Sequence, residues 1–376
     1  MNKKEILEIK RQFTPANCAI TRICGCYVDH EKNKKWETKN AFLSLPEEEE
    51  FKYFEIFKHT LSGTVGKNLL SMEFPLEQET TGGTQEYLLR LRNSKLQEDA
   101  LLEEFYDKVI AHYDYAENYY IILIHASYDV PGKALDGTAM FDASDTVYEY
   151  LLCSICPVNL SKPGLSYNSE KNHIEDRIRD WLVEVPAQGF LFPAFCDRNT
   201  DIHSVLYYTK KPEDIQSEFI AKVLGSVLPL TAGSQKESFR AIIADTLGED
   251  CNYEAVRTIH ENLQELIAEH KEDPEPLELS KPDVKRLLEH SGVSEEKIEL
   301  FEKEYETVVG ESTSLLASNI AESGKFHIET PEIIIKVNPE RTDLIETRII
   351  DGRKCIVIAV EDYIEVNGVI VKTIAK

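Results

Sequence analysis

The stretch YYIILIHASY at 119–128 constrains this chain more than any other. It is the most apolar run in the sequence, yet it falls well short of the roughly 18 to 20 uncharged apolar residues needed to cross a bilayer. Rich in β-branched and aromatic residues, it reads as a buried strand. Three further segments share its texture: TVYEYLLCSICPVNL at 146–160, GFLFPAFC at 189–196 and IHSVLYYTKK at 202–211. Pro, Gly, Asn or Asp clusters bound all four, and CDRNTD between the last two has the composition of a hairpin turn.

The segments upstream alternate between extended and helical patterns. ITRICGCYVD is predicted as a strand with Ile20, Arg22, Cys24, Cys26 and Val28 on one face. EEEEFKYFEIFKHTL at 47–61 repeats its apolar residues at helical spacing, with glutamates placed at the positive end of the helix dipole. Residues 84–113 read as one long helix or two shorter ones, entered through a cap at Thr84, and the opening MNKKEILEIKRQF reads as an amphipathic helix. An antiparallel or mixed sheet carrying helices follows, so residues 1–211 are expected to form an α+β domain.

Beyond it the pattern changes. Residues 212–322 hold successive helical segments with Ser or Pro at their starts, among them a capping box of Ser234 and Glu237. Residues 323–376 return to short extended runs, with hairpin turns at Asp351-Gly352 and Asn367-Gly368, and are predicted to form a small β-meander.

Charge narrows the class of partner. The net charge is −25, which argues against coating nucleic acid through global charge. Residues 245–311 alone hold 20 Asp or Glu against 7 Lys or Arg, whereas residues 324–376 hold 9 against 8. The acidic excess is therefore regional, and the C-terminal segment can present a neutral or basic surface. No membrane partner is expected, and the N-terminus lacks the uninterrupted apolar core of a signal peptide, so a cytoplasmic protein is expected. Eight cysteines in 376 residues are too sparse for a disulfide scaffold.

Those cysteines pose the main chemical question. Cys24-Gly-Cys26 and Cys153-Ser-Ile-Cys156 supply four thiols, the number a structural zinc site requires. Zinc ligands sit on tight turns, however, and a redox pair sits at a helix start, while both pairs here lie in strand-like sequence. Packing as small buried hydrophobes is the better account, with zinc kept as the alternative and no cofactor otherwise expected.

Other motifs fail on spacing. Gly63 and Gly66 before Lys67 are too close for a phosphate loop, and Asn68 stands where Ser or Thr is needed. His125, with Asp129 and a serine at 127 or 154, lacks the nucleophile elbow of a hydrolase. Asp142–Asp145 lacks the alternating ligands of a calcium loop. The basic residues Lys336, Arg341, Arg348, Arg353, Lys354 and Lys372 lie on or beside the C-terminal strands, where a β-ribbon can contact phosphates. Asp343 and Glu346 between them also fit a mixed solvated face.

Taken together, ITRICGCYV, LSGTVGKNLL, CSICPVNLSKPGLSYN and VNPERTDLIETRIIDGRK resemble a bacterial protein family catalogued only as domain of unknown function 4317. The resemblance spans essentially the whole chain and implies no activity, cofactor or catalytic residue. The order of a mixed first half, an acidic helical stretch and short closing strands is also similar to the bacterial nucleoid-associated protein family, by architecture alone. The sequence thus points to a binding or scaffolding protein rather than an enzyme, with nucleic acid or the nucleoid as the expected partner. Two alternatives stand beside it: an enzyme or zinc-stabilised protein using Cys24, Cys26, Cys153 and Cys156, and a protein-interaction module in which the acidic helical region meets a basic protein.

Overall fold

A computed structural model describes residues 1–133, 139–140, 146–310, 313–321, 326–361, 363–366 and 368–371. Asp142–Asp145, Asn367 and Lys372 lie outside the described residues. The chain divides into two compact units, residues 1–231 and 232–376.

The first unit begins with α1 (Lys3–Lys10), whose N-terminus is closed by a reciprocal capping box between Asn2 and Glu5. There follow β1 (Ile20–Val28), β2 (Lys34–Asn40), α2 (Glu47–Thr60), β3 (Leu69–Glu73), α3 (Thr84–Asn93) and α4 (Asp99–His112). Next come β4 (Tyr119–Val130), the small pair β5 (Gly132–Lys133) and β6 (Ala139–Met140), and the long β7 (Thr146–Leu160). The unit continues with β8 (Leu165–Asn168), β9 (His173–Asp176), β10 (Trp181–Val183), β11 (Gln188–Phe192), β12 (Ala194–Cys196), β13 (Asn199–Asp201) and β14 (Ser204–Thr209). It ends in α5 (Ser217–Phe219), which runs on as a π turn over Ile220–Leu224.

The main sheet has the order β2-β1-β4-β7-β11-β14-β3, with β10 added on β7, and all its pairings are antiparallel. Alternation along β1 sends Cys24, Cys26 and Val28 into one core cluster and Ile23 into another on the opposite face. Leu88, Leu102, Phe105 and Phe219 cover the first face; Ile6, Ile9, Phe54 and Phe57 cover the second. Central strands covered on both faces need no polar alternation, which is why β4 reads as an unbroken apolar run.

Local signals in the sequence hold at several points. The 84–113 stretch splits into α3 and α4, with Lys95 and Leu96 at positive φ between them. Asp197 and Arg198 also take positive φ and turn β12 into β13, as the CDRNTD composition requires. Three expectations need correction. A bulge at Thr21 breaks the alternation of β1, so Ile20 joins the opposite face from Cys24 and Cys26. Gly83, not Thr84, occupies the N-cap of α3. The helix containing Ser234 starts at Ala232, which places Ser234 inside the first turn instead of at its cap.

The second unit contains α6 (Ala232–Leu247), α7 (Tyr253–Glu269), β15 (Glu278–Leu279), α8 (Lys281–His290), α9 (Glu295–Val308), β16 (Leu315–Leu316) and α10 (Ala317–Ile320). Phe239, Leu263, Leu288 and Phe301 are buried, giving these helices their own core. The closing strands are β17 (Phe326–Glu329), β18 (Ile334–Val337), β19 (Ile345–Ile350), β20 (Arg353–Ile358), β21 (Ile364–Val366) and β22 (Val369–Val371). Among the described residues they form three separate two-stranded pairs and not one continuous meander. The Asp351-Gly352 turn between β19 and β20 has both residues at positive φ, the geometry of a tight hairpin.

Candidate binding groove

A concavity of the first unit lies along α2. Four glutamates in the first turn of this helix suit its positive end. Its last turn is held tightly to the sheet: Thr60 Oγ1 lies 2.6 Å from Ser154 Oγ. That approach depends on Gly189, where a Cβ would come within 2.6 Å of the Thr60 methyl and 2.4 Å of the Cys153 carbonyl oxygen.

A second glycine shapes the floor. Gly25 sits between the two cysteines of β1, and a Cβ there would fall 2.1 Å from the Tyr120 hydroxyl oxygen. Tyr120 of β4 therefore lies across the strand at Gly25. Its hydroxyl is 3.3 Å from that of Tyr53 on α2, and its ring centroid is 6.2 Å from that of Trp36 on β2. Burial raises the pKa of both tyrosines, so both hydroxyls stay protonated at neutral pH. Above this floor, Ile56 and Tyr53 on one side face Val183 and Val185 on the other across about 550 Å³, a size that suits a small ligand or a few side chains. Glu49, Lys52, Glu55, His59 and Glu184 edge the groove. Lys58 pairs with Glu55 at 2.9 Å; among the described residues Glu49 and Glu184 have no ion pair.

The four thiols are not brought together. β4 runs between β1 and β7, placing Leu123 between Cys24 and Cys153 in register. Two strand spacings amount to roughly 10 Å, whereas sulfurs sharing a zinc ion stand about 4 Å apart. Cys156 lies on the opposite face from the other three. Among the described residues no group of three or more His, Cys, Asp or Glu side chains could hold a metal. Burial raises the pKa of Cys24 to about 11 and of Cys26 to about 12, and pushes Cys153 and Cys156 up as well.

His125 is fully buried. The Thr21 hydroxyl donates to the His125 carbonyl oxygen at 3.1 Å and lies 2.7 Å from Nδ1. Among the described residues Nε2 of this ring has no hydrogen-bond partner. Burial lowers this imidazole to about 4. Ser154 points to the other face of the sheet, where it binds Thr60, so it does not meet His125.

The C-terminal basic residues are distributed over different elements. Lys336 lies on β18 and pairs with His327 of β17. Arg341 is held by Asp343 at 3.3 Å and Glu361 at 2.9 Å, and Arg348 by Glu346 at 2.6 Å. Arg353 and Lys354 follow the β19–β20 turn as the first two residues of β20 and so face opposite sides.

Sequence reasoning did not single out Tyr53, Tyr120, Val183 or Val185. Gly25 was the available signal, because a glycine inside an apolar strand marks a close approach.

An antiparallel sheet covered by helices on both faces, followed by a helical unit and closing hairpins, defines an α+β protein. Among the described residues no helix is long and apolar enough to cross a membrane. Residues 1–369 match the family described as Domain of unknown function (DUF4317), and the chain belongs to that family. No curated protein matches the chain.

Proposed function

We propose that this is a non-enzymatic binding protein whose α2 groove takes an apolar side chain presented by a basic segment of a protein partner. The observation that carries this reading is the pairing of an aromatic and aliphatic floor, Tyr53, Tyr120, Ile56 and Val183, with an edge on which Glu49, Glu55 and Glu184 outnumber Lys52. Aromatic anchors in a desolvated pocket provide most of the energy in protein recognition, and edge charges select the partner and speed encounter. A net charge of −25 draws basic partners from a distance. The C-terminal basic residues favour nucleic acid less, because Arg341 and Arg348 already hold carboxylates.

The test uses two designed amphipathic peptides, one of Leu and Lys and one of Leu and Glu, titrated onto the full chain. The Leu/Lys peptide is expected to bind, and Tyr53→Ala or Glu184→Lys to weaken it about tenfold or more. Equal binding of both peptides, or affinity unmoved by both substitutions in folded protein, refutes the reading.

A further inference from the structure

The second unit has a cavity of its own, whose lining combines hydrocarbon with hydrogen-bond acceptors. It lies between α7, β15 and α8 and measures about 560 Å³, within the range of small-molecule sites. Asn262 of α7 donates to Ser291 Oγ, just past the end of α8, at 2.9 Å and so ties the two helices together.

The hydrocarbon comes from Leu266, Leu277, Leu279 and Leu287, the last two only 2% exposed. Leu279 is further held by its pairing with Leu315 of β16. Charge comes from Glu265, Glu269, Glu278, Asp283 and Arg286. Two of these are already spent. Arg286 Nη2 donates to Asp283 Oδ1 at 2.6 Å, and Asp283 Oδ2 accepts from Ser280 N at 2.9 Å. Among the described residues Glu265, Glu269 and Glu278 have no ion pair, and all three are exposed. The rim therefore carries three uncompensated carboxylates.

Two histidines add further acceptors. His270 follows the last residue of α7, and His290 is the last residue of α8. Each places Nδ1 on a carbonyl oxygen one helical turn back, Leu266 O at 2.8 Å and Arg286 O at 2.7 Å. A carbonyl oxygen only accepts, so Nδ1 carries the hydrogen in both rings. The neutral imidazole then presents Nε2 as a lone pair.

We infer that this cavity binds an aliphatic polyamine, a chain of methylene groups interrupted by ammonium groups. Each ammonium brings positive charge and hydrogen-bond donors to a rim whose unpaired charges are all carboxylates. The methylenes between them cover the leucines and remove apolar surface from water. A compact cation fits this lining less well. Among the described residues no three His, Cys, Asp or Glu side chains are placed to share one metal ion. Acceptors spread along a cavity match charge spread along a chain. The site belongs to the second unit and the α2 groove to the first, so this inference does not rest on the function proposed for that groove.

Calorimetric titration of the full chain with spermidine, in about 0.15 M salt to screen general attraction, tests this. Spermidine is expected to bind at about one per chain, and at least tenfold more tightly than butylamine or magnesium ion. Glu265→Gln combined with Glu269→Gln is expected to weaken it at least tenfold with an unchanged circular dichroism spectrum. Glu299→Gln combined with Glu304→Gln removes the same charge from α9, outside the cavity lining, and is expected to leave the affinity within about twofold. No saturable binding of spermidine up to about 1 mM overturns the inference, including the case in which the cavity takes only a basic peptide. So does magnesium ion binding as tightly as spermidine, or an equal effect of the two double substitutions, since either marks attraction to net charge alone.

Discussion

Replacing Gly25 by alanine places one methyl group where the structure has no room for it. The new Cβ would lie 2.1 Å from the Tyr120 hydroxyl oxygen and 2.7 Å from two ring carbons. The backbone of β1 is paired on both edges, with β2 and β4, and cannot withdraw. Tyr120 must therefore swing aside, which breaks its contact with Tyr53. Overpacking of this kind costs about 1–3 kcal/mol and loss of the hydrogen bond about 1 more, so a total near 3 kcal/mol is expected. Both tryptophans of the chain, Trp36 and Trp181, belong to the first unit, so tryptophan fluorescence follows the unfolding of that unit. The urea midpoint should fall by about 1 M. In a Tyr120→Ala background the same glycine substitution should be neutral, or stabilising by about 0.5 kcal/mol, because alanine is a better strand residue than glycine. The two changes should thus be strongly coupled. Additive energies, or a Gly25→Ala protein as stable as wild type, would refute the role given to this contact.

Two other outcomes follow from buried groups. With an alkylating reagent at pH 8, Cys251, which is exposed, should label first, and Cys24, Cys26, Cys153 and Cys156 only on unfolding; fast labelling of any of the four contradicts their placement. His125 titrates at about 4 in the folded state against 6.5 as a free group. The unfolded chain therefore binds a proton that the folded one refuses, and stability falls as pH drops from about 6.5 towards 4. The loss reaches about 2 kcal/mol by pH 5 and about 3 by pH 4. Denaturation of His125→Gln across that range should remove this part of the slope, and an unchanged slope would mean that other groups carry it.

The sequence was most legible where a local rule acts alone. The Asp351-Gly352 turn, the split of residues 84–113 and the helix at Glu47–Thr60 each follow from a few neighbouring residues. The cap at Thr84 was misplaced by one residue because a helix with no side-chain cap leaves no clear mark of its start. The Thr21 bulge depends on its hydroxyl meeting His125, more than a hundred residues away in the chain. The groove escaped notice for the same reason: its walls come from α2, β4 and residues 183–185, and no short motif spans them. The two cysteine pairs looked equivalent as text, yet their registers against β4 separate them by strand and by face.

The strand order also sets a timetable for synthesis. β3 is finished at Glu73, but among the described residues its one partner in the main sheet, β14, begins at Ser204. Roughly 130 residues must leave the ribosome in between, about 7 to 26 seconds at ordinary elongation rates. Throughout that interval Leu69, Leu70 and Met72, all buried in the finished fold, have no neighbouring strand to cover them. The yield of the folded protein on expression is therefore expected to rise when a holding chaperone is co-expressed.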